Sequence, residues 1–300
     1  MNVSDIKGII PPVITPMNND PEQTVNHEEL RNQVERLLQG GVHGIFPLGT
    51  NGEAYALSFQ EKEEVLATVI DQVKGRVPVY AGTGCITTAE TIRMSKRAEA
   101  LGADALSIIT PSFALASQKE LYDHYTAVAK VVNLPIILYN IPARTGNKLL
   151  PETVQALCRD VDNIVGAKDS SGDITQTSEF IRRTRDVEFK VFGGKDTLLY
   201  ASLCHGAVGG VCTAANFMPE LITDVYNKYA AGDLAGSLEA QFKLNPVRLS
   251  MDAASFPVAA KDMANLRGRK VGVPYLPTLP TPEGAAKQGF VKTMTEAGLL

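Results

Sequence analysis

The chain has 300 residues, of which 44% are hydrophobic and 21% are charged, the composition of a globular protein with one large domain or two small ones. A formal net charge of −4 and a pI near 5.7 argue against a nucleic-acid partner, and without any run of about 18 apolar residues no membrane span is predicted. The 4 cysteines lack CxxC spacing and the N-terminus lacks a secretory-signal pattern, so we expect a reduced, cytoplasmic protein.

Short apolar runs rich in β-branched residues recur about every 25–35 residues and predict eight strands. In chain order the runs are GIIPPVIT from Gly8, VHGIFPLG from Val42, VPVYAG from Val77, ADALSIIT from Ala103, LPIILYN from Leu134, NIVGAK from Asn163, EFKVFGG from Glu188 and GAVGGVC from Gly206. A segment with helical periodicity follows each run. Continuous apolar strands that alternate with amphipathic helices indicate a parallel sheet.

The predicted helices carry recognisable start signals. Capping boxes of the S/T-x-x-E type begin at Ser58, Thr87 and Ser117, and Pro151 suits a first helical position. Eight β–α units in about 220 residues predict an α/β fold of the (β/α)8 TIM-barrel type. The alternative is an open doubly wound sheet, but that fold usually has a glycine-rich turn after its first strand, where this chain has prolines.

The domain boundary is predicted near residue 230. Residues 1–230 form the barrel that carries the active site, and residues 231–300 form a C-terminal helical appendage packed on the barrel. Within that appendage the segments near 235–250, 255–267 and 283–299 have helical patterns. The appendage is too short to predict as an independent domain.

Active sites of TIM barrels lie at the C-terminal ends of the strands, and this rule turns the strands into a set of candidate site residues. These residues are Thr50 and Asn51 after the second strand, Phe113 after the fourth, Tyr139 and then Arg144 after the fifth, Lys168 on the sixth, Gly193 on the seventh and Val211 on the eighth. We expect Gly193 and Val211 to bind substrate. None of the four histidines has metal-ligand spacing, so no metal site is predicted.

Lys168 ends a buried apolar strand, where its ammonium group must be paired or give up its proton. The ordinary alternative is a lysine that extends to solvent at the end of the strand. In a water-poor pocket its pKa should fall from about 10.4, and the neutral amine can then form a Schiff base with a ketone. Tyr139 could relay protons, and the turn at Thr50 and Asn51 offers donors that suit a carboxylate.

Three motifs, GTNGE, LYNIPARTG and GAKDSSGD, resemble the dihydrodipicolinate synthase / N-acetylneuraminate lyase family, and the likeness runs over essentially the whole chain. The resemblance implies a TIM barrel with a helical C-terminal part, a homotetramer and no organic cofactor. It makes Lys168 the lysine that binds pyruvate as an imine and Tyr139 the proton relay. It further implies that Thr50 and Asn51 orient Tyr139 and hold the pyruvate carboxylate. Arg144 matches the arginine that binds the second substrate's carboxylate.

Three positions depart from the synthase pattern and bear on the second substrate. Synthases of this family carry two tyrosines where this chain has Ser112 and Phe113, and a threonine where it has Asn51. Phe113 is therefore a candidate specificity residue. The departures favour an aldolase for a short 2-oxo acid, such as 4-hydroxy-2-oxoglutarate or a 2-keto-3-deoxy sugar acid. The alternative is dihydrodipicolinate synthase itself, which condenses pyruvate with aspartate semialdehyde.

Two other functions stay open at this point. Glycine-rich turns after the seventh and eighth predicted strands, with Lys195 nearby, are typical of barrels that bind phosphate. A catalytically inactive barrel could instead bind pyruvate-like acids as a regulator, although a binding protein has no need of a nucleophile. In every reading the partners are small molecules.

Overall fold

The computed structural model describes residues 2–255 and 257–300. The strands of this part of the chain are β1 (Gly8–Ile9), β2 (Tyr80–Gly82), β3 (Ala105–Ile109), β4 (Ile136–Asn140), β5 (Ile164–Asp169), β6 (Lys190–Gly193) and β7 (Gly209–Gly210). The helices are α1 (His27–Gln39), α2 (Phe59–Val73), α3 (Thr88–Leu101), α4 (Gln118–Ala129), α5 (Pro142–Thr145), α6 (Pro151–Asp160), α7 (Ile174–Thr184), α8 (Leu199–Cys204), α9 (Pro219–Ala230), α10 (Leu234–Ser250), α11 (Val258–Leu266) and α12 (Ala285–Glu296).

The strands form one parallel sheet in the order β1-β7-β6-β5-β4-β3-β2. Each strand from β2 to β7 is therefore a neighbour of the next one along the chain. The first strand lies beside the last, where the Gly8 amide donates to the Val208 carbonyl at 2.9 Å. This is the strand order of a (β/α)8 barrel, so the predicted fold class is confirmed.

The chain makes two compact units, the first formed by residues up to Gly8 together with Pro78–Val211. This first unit holds β2 to β7 and the helices α3 to α8. Its core consists of the apolar side chains that the strands carry and of helix residues such as Leu121 and Phe180. The predicted capping box at Ser117 starts α4. Thr87 caps α3 by accepting from the Glu90 amide, but the Glu90 side chain does not bond back to the Thr87 amide.

The second unit is formed by Ile9–Val77 and Cys212–Leu300, and it holds α1, α2 and α9 to α12. Here the second predicted strand is reduced to one parallel bridge between Pro12 and Phe46. The Phe46 amide donates to Pro11 and the Val13 amide donates to Phe46, at 3.0 and 2.9 Å. Three prolines in these segments lack the N–H that a ladder requires, which explains why the pairing stays too irregular to count as a strand.

The C-terminal helices begin and end close to the predicted segments. α10 and α12 match the patterns near 235–250 and 283–299, and α11 lies inside the segment predicted from residue 255, of which residue 256 is outside the described part. The domain boundary near residue 230 remains a prediction. Among the described residues, none of the helices has the length and apolar character needed to cross a membrane.

Gly209 is the residue whose lack of a side chain allows β7 to pair with the first strand. A Cβ atom at this position would lie 2.0 Å from the Gly8 carbonyl oxygen. We expect Gly209→Ala to lower the free energy of unfolding by about 3 kcal/mol or more, because neither backbone can move aside cheaply. Gly289→Ala in α12 is the matched control, since nothing lies within 4 Å of its added methyl group. It should stabilise the helix by about 0.5–1 kcal/mol. Urea unfolding measures both, and a Gly209→Ala protein as stable as wild type contradicts this account.

Candidate active site

Tyr139 and Lys168 lie side by side on neighbouring strands. Tyr139 is on β4, Lys168 is on β5, and their Cα atoms are register partners in the parallel ladder. Both residues are only 3% exposed. The Lys168 Nζ atom lies 3.6 Å from the centroid of the Tyr139 ring, so the structure brings together the two residues that the sequence predicts as nucleophile and proton relay.

The face of β5 that carries Lys168 follows from the alternation of side chains along a strand. The next residue, Asp169, bonds to Thr177 on α7 and therefore points toward the helices. Lys168 and Gly166 then share the opposite face. A Cβ atom on Gly166 would lie 2.5 Å from the Lys190 carbonyl oxygen and 2.8 Å from an Ile137 methyl group, so the close packing before Lys168 requires glycine.

Asp169 anchors the end of β5 and was not among the predicted site residues. Its carboxylate is buried and accepts four hydrogen bonds, from the Asn140 side chain at 2.8 Å, the Ser171 amide and hydroxyl at 3.2 and 2.8 Å, and the Thr177 hydroxyl at 2.7 Å. A buried carboxylate with this many donors is fully satisfied. Its position directly after Lys168 is the only sequence signal that could have revealed it.

Gly193 and Val211 meet at the same edge of the sheet as Lys168. Gly193 pairs with Asp169 on one side and with Gly210 on the other, and the Val211 amide donates to the Gly193 carbonyl at 2.8 Å. The carboxyl ends of β5, β6 and β7 are therefore joined by hydrogen bonds. This arrangement is the one expected for residues that share a site in this fold.

Arg144 and Phe113 lie in the turns that follow β4 and β3. Arg144 is on the short helix α5, which starts at Pro142, and is exposed. Phe113 is 95% exposed and has a φ of 78°, a left-handed backbone conformation that is uncommon for an aromatic residue. The ring of this candidate specificity residue is therefore almost fully open to solvent within the described part of its own chain.

Asn147 holds the turn that carries Phe113, and it too was missed. Its buried amide donates to the carbonyls of Pro111 and Ala114 at 2.8 and 2.9 Å and accepts from the Ala116 amide at 2.7 Å. All these partners come from one turn, which explains how Phe113 keeps its backbone conformation. Asn147 also lies three residues after Arg144, so it couples the two turns.

Thr50 and Asn51 belong to the second unit, in the turn after the second predicted strand. Asn51 is buried, and its Nδ2 atom donates to the Thr213 hydroxyl at 2.9 Å. Its Oδ1 atom is buried without a hydrogen-bond partner among the described residues. Glu53, which ends the GTNGE motif, is wholly buried and forms an ion pair with Lys261. Sequence analysis did not assign any role to Glu53 or Lys261.

Comparisons with known proteins agree with this geometry. The sequence model of the dihydrodipicolinate synthetase family matches residues 5–297. A 4-hydroxy-tetrahydrodipicolinate synthase from Methanoculleus marisnigri is 40% identical over 271 residues, 90% of this chain and 92% of the relative. A crystal structure of a dihydrodipicolinate synthase (dapA) is 34% identical, with a TM-score of 0.94 over 98% of this chain and 100% of the other.

A further solved structure of the same fold contains pyruvate. It is YagE, a prophage protein of the dihydrodipicolinic acid synthase family from Escherichia coli K12, in complex with pyruvate. That chain is 30% identical, with a TM-score of 0.93 over 98% of this chain and 99% of its own. The family predicted from the three motifs is therefore confirmed.

We expect Asp169→Ala to lower the free energy of unfolding by about 4 kcal/mol, because about 1 kcal/mol is lost for each of the four donors left unsatisfied. The exposed Asp162, which precedes β5, is the control, and Asp162→Ala should change stability by less than about 0.5 kcal/mol. Urea denaturation measures both variants. Equal stabilities of the two variants would mean that Asp169 does not anchor the strand.

Proposed function

Because the chain belongs to the dihydrodipicolinate synthetase family of lyases, we propose that it binds pyruvate covalently as an imine on Lys168. One observation carries the proposal: the Lys168 amine is buried at the end of β5, 3.6 Å from the centre of the Tyr139 ring. A lysine held only for structure would extend to water from this position. The pyruvate complex of YagE supports the choice of ligand.

The proposed chemistry needs few groups. The neutral Lys168 amine attacks the carbonyl carbon of pyruvate, and the resulting carbinolamine loses its hydroxyl group as water to leave the imine. Proton transfers to and from that oxygen fall to the Tyr139 hydroxyl. The attacking amine must be in its neutral form for this step. The protonated imine draws electrons from the adjacent methyl carbon of pyruvate, which can then lose a proton to form an enamine. The enamine carbon attacks the aldehyde carbon of the second substrate, whose oxygen takes up a proton. The proposed reaction therefore uses no organic cofactor and no metal.

The remaining predicted residues take binding roles in the proposal. Thr50 and Asn51 hold the pyruvate carboxylate, and Gly193 and Val211 line the substrate site. Arg144, a fixed cationic fork, binds the carboxylate of the second substrate. The likeness to the family extends the proposal to a cytoplasmic homotetramer whose partners are small molecules.

The second substrate is proposed from the relatives. The residues at positions 51, 112 and 113 favour aldol cleavage of a short 2-oxo acid, but the Methanoculleus relative is named a 4-hydroxy-tetrahydrodipicolinate synthase. That name supports condensation of pyruvate with aspartate semialdehyde better than it supports cleavage. Cleavage of 4-hydroxy-2-oxoglutarate or a 2-keto-3-deoxy sugar acid is the second candidate, favoured by Phe113, which has no hydroxyl group and is 95% exposed.

The imine can be trapped directly. Borohydride reduction with pyruvate should add one reduced pyruvate unit to the peptide that contains Lys168, as measured by mass spectrometry. Lys168→Ala should lose both the adduct and the activity, because no other amine replaces the nucleophile. Lys195→Ala is the control at the same edge of the sheet and should keep the adduct. An adduct on another lysine, or no adduct at all, would contradict the proposed mechanism.

The second substrate can be identified by comparing rates. We expect kcat/KM for aspartate semialdehyde condensation to exceed that for cleavage of either 2-oxo acid. Phe113→Tyr restores the missing hydroxyl group for proton transfer. It should raise the condensation rate by about 10-fold or more. Ser112→Tyr, which adds a tyrosine at the neighbouring position, is the control and should leave the condensation rate unchanged. Cleavage rates well above the condensation rate in wild type would reverse the order of the two candidates.

A further inference from the structure

A wholly buried ion pair lies directly behind the turn that carries Thr50 and Asn51. The side chains of Glu53 and Lys261 are both 0% exposed, and the Glu53 Oε1 and Lys261 Nζ atoms are 2.5 Å apart. Lys261 lies on α11, so a C-terminal helix reaches the GTNGE segment of its own unit.

Each member of the pair also has a backbone partner. The second Glu53 oxygen accepts from the Tyr275 amide at 2.6 Å, and the Lys261 ammonium donates to the Val273 carbonyl at 2.9 Å. The two side chains therefore join the turn, α11 and the segment 273–275. Burial lowers the pKa of Lys261, and the adjacent Glu53 carboxylate opposes that effect.

Stability alone does not explain a pair of this kind. Removing two charges from water costs so much that well-packed apolar side chains are often as stabilising or more so. What a buried pair provides is a fixed distance and direction between the elements that it joins. We therefore explain the pair by the turn that it holds in place.

The element that it fixes is a tightly constrained turn. Leu48 and Glu53, at either end of this turn, have φ values of 61° and 52°, in the left-handed region that non-glycine residues avoid. Between them the Gly52 carbonyl accepts from the Thr15 hydroxyl at 2.7 Å, and the Glu53 amide donates to Thr50 at 3.2 Å. Such a backbone persists only where its surroundings over-determine it.

We propose that Glu53 and Lys261 are positioning residues, which hold the turn so that Thr50 and Asn51 can bind the carboxylate of pyruvate. This inference rests on the proposed function. It gives α11, in the predicted C-terminal appendage, a part in substrate binding. Neither residue touches the substrate, so both act through the backbone of the turn.

The test uses Lys261→Met, Glu53→Gln and the double variant in the full chain. Each single variant leaves one buried charge without its partner and should lose thermal stability, whereas the double variant is neutral and should recover most of it. The readout is the pyruvate concentration that half-saturates borohydride labelling of Lys168. In the double variant this concentration should rise by about 10- to 100-fold, since small misplacements of binding groups are costly. Labelling at saturating pyruvate should stay complete.

Met294→Ala is the matched control for stability. Met294 is a buried residue of α12, and its truncation lowers stability without altering the ion pair. Half-saturation should stay at the wild-type value in this control. A double variant that folds and labels at the wild-type pyruvate concentration overturns the inference, as does an equal rise in Met294→Ala. If wild type itself forms no adduct, the proposed function fails and this inference fails with it. A wild-type adduct with unaffected variants removes the inference alone.

Discussion

The proposed chemistry depends on a lysine amine that is kept away from water against an aromatic ring. Lys168 reaches the face of Tyr139 only because β4 and β5 run parallel in a register that makes the two residues direct partners. A slip of one residue would turn Lys168 to the opposite face of the sheet, toward the helices. The register is therefore the constraint on which the active site rests, and the surrounding structure must hold it.

Satisfied polar groups on the other side of the sheet hold that register. Asp169 follows Lys168, faces the helices, and accepts from Asn140, the residue after Tyr139. The same two strands thus carry the Lys168 and Tyr139 pair of the proposed chemistry on one face and a hydrogen-bonded anchor on the other. In the second unit the pair of Glu53 and Lys261 has a similar relation to the turn at Thr50. In both places a buried charged side chain is bonded to the segment that carries residues of the proposed chemistry.

The sequence was sufficient to predict what depends on local pattern. Apolar runs and capping signals placed the strands and helices, and the rule for strand ends in barrels led to Lys168 and Tyr139. The second strand was predicted as regular, but it forms one bridge only, because an apolar pattern does not show which N–H groups proline removes. Asn147 and Lys261 were missed for another reason: their partners are distant in sequence, and nothing near them indicates a contact. The exposure of Phe113 likewise follows from how its turn is held, which residue type does not reveal.

The most direct test of the central claim is a crystal structure of the protein after soaking with pyruvate. The account predicts continuous electron density from Lys168 Nζ to the former carbonyl carbon of pyruvate. It also predicts the Tyr139 hydroxyl within about 3 Å of an atom of the adduct, the distance that proton transfer requires. Pyruvate bound without a covalent link, or joined to any lysine other than Lys168, would contradict the account.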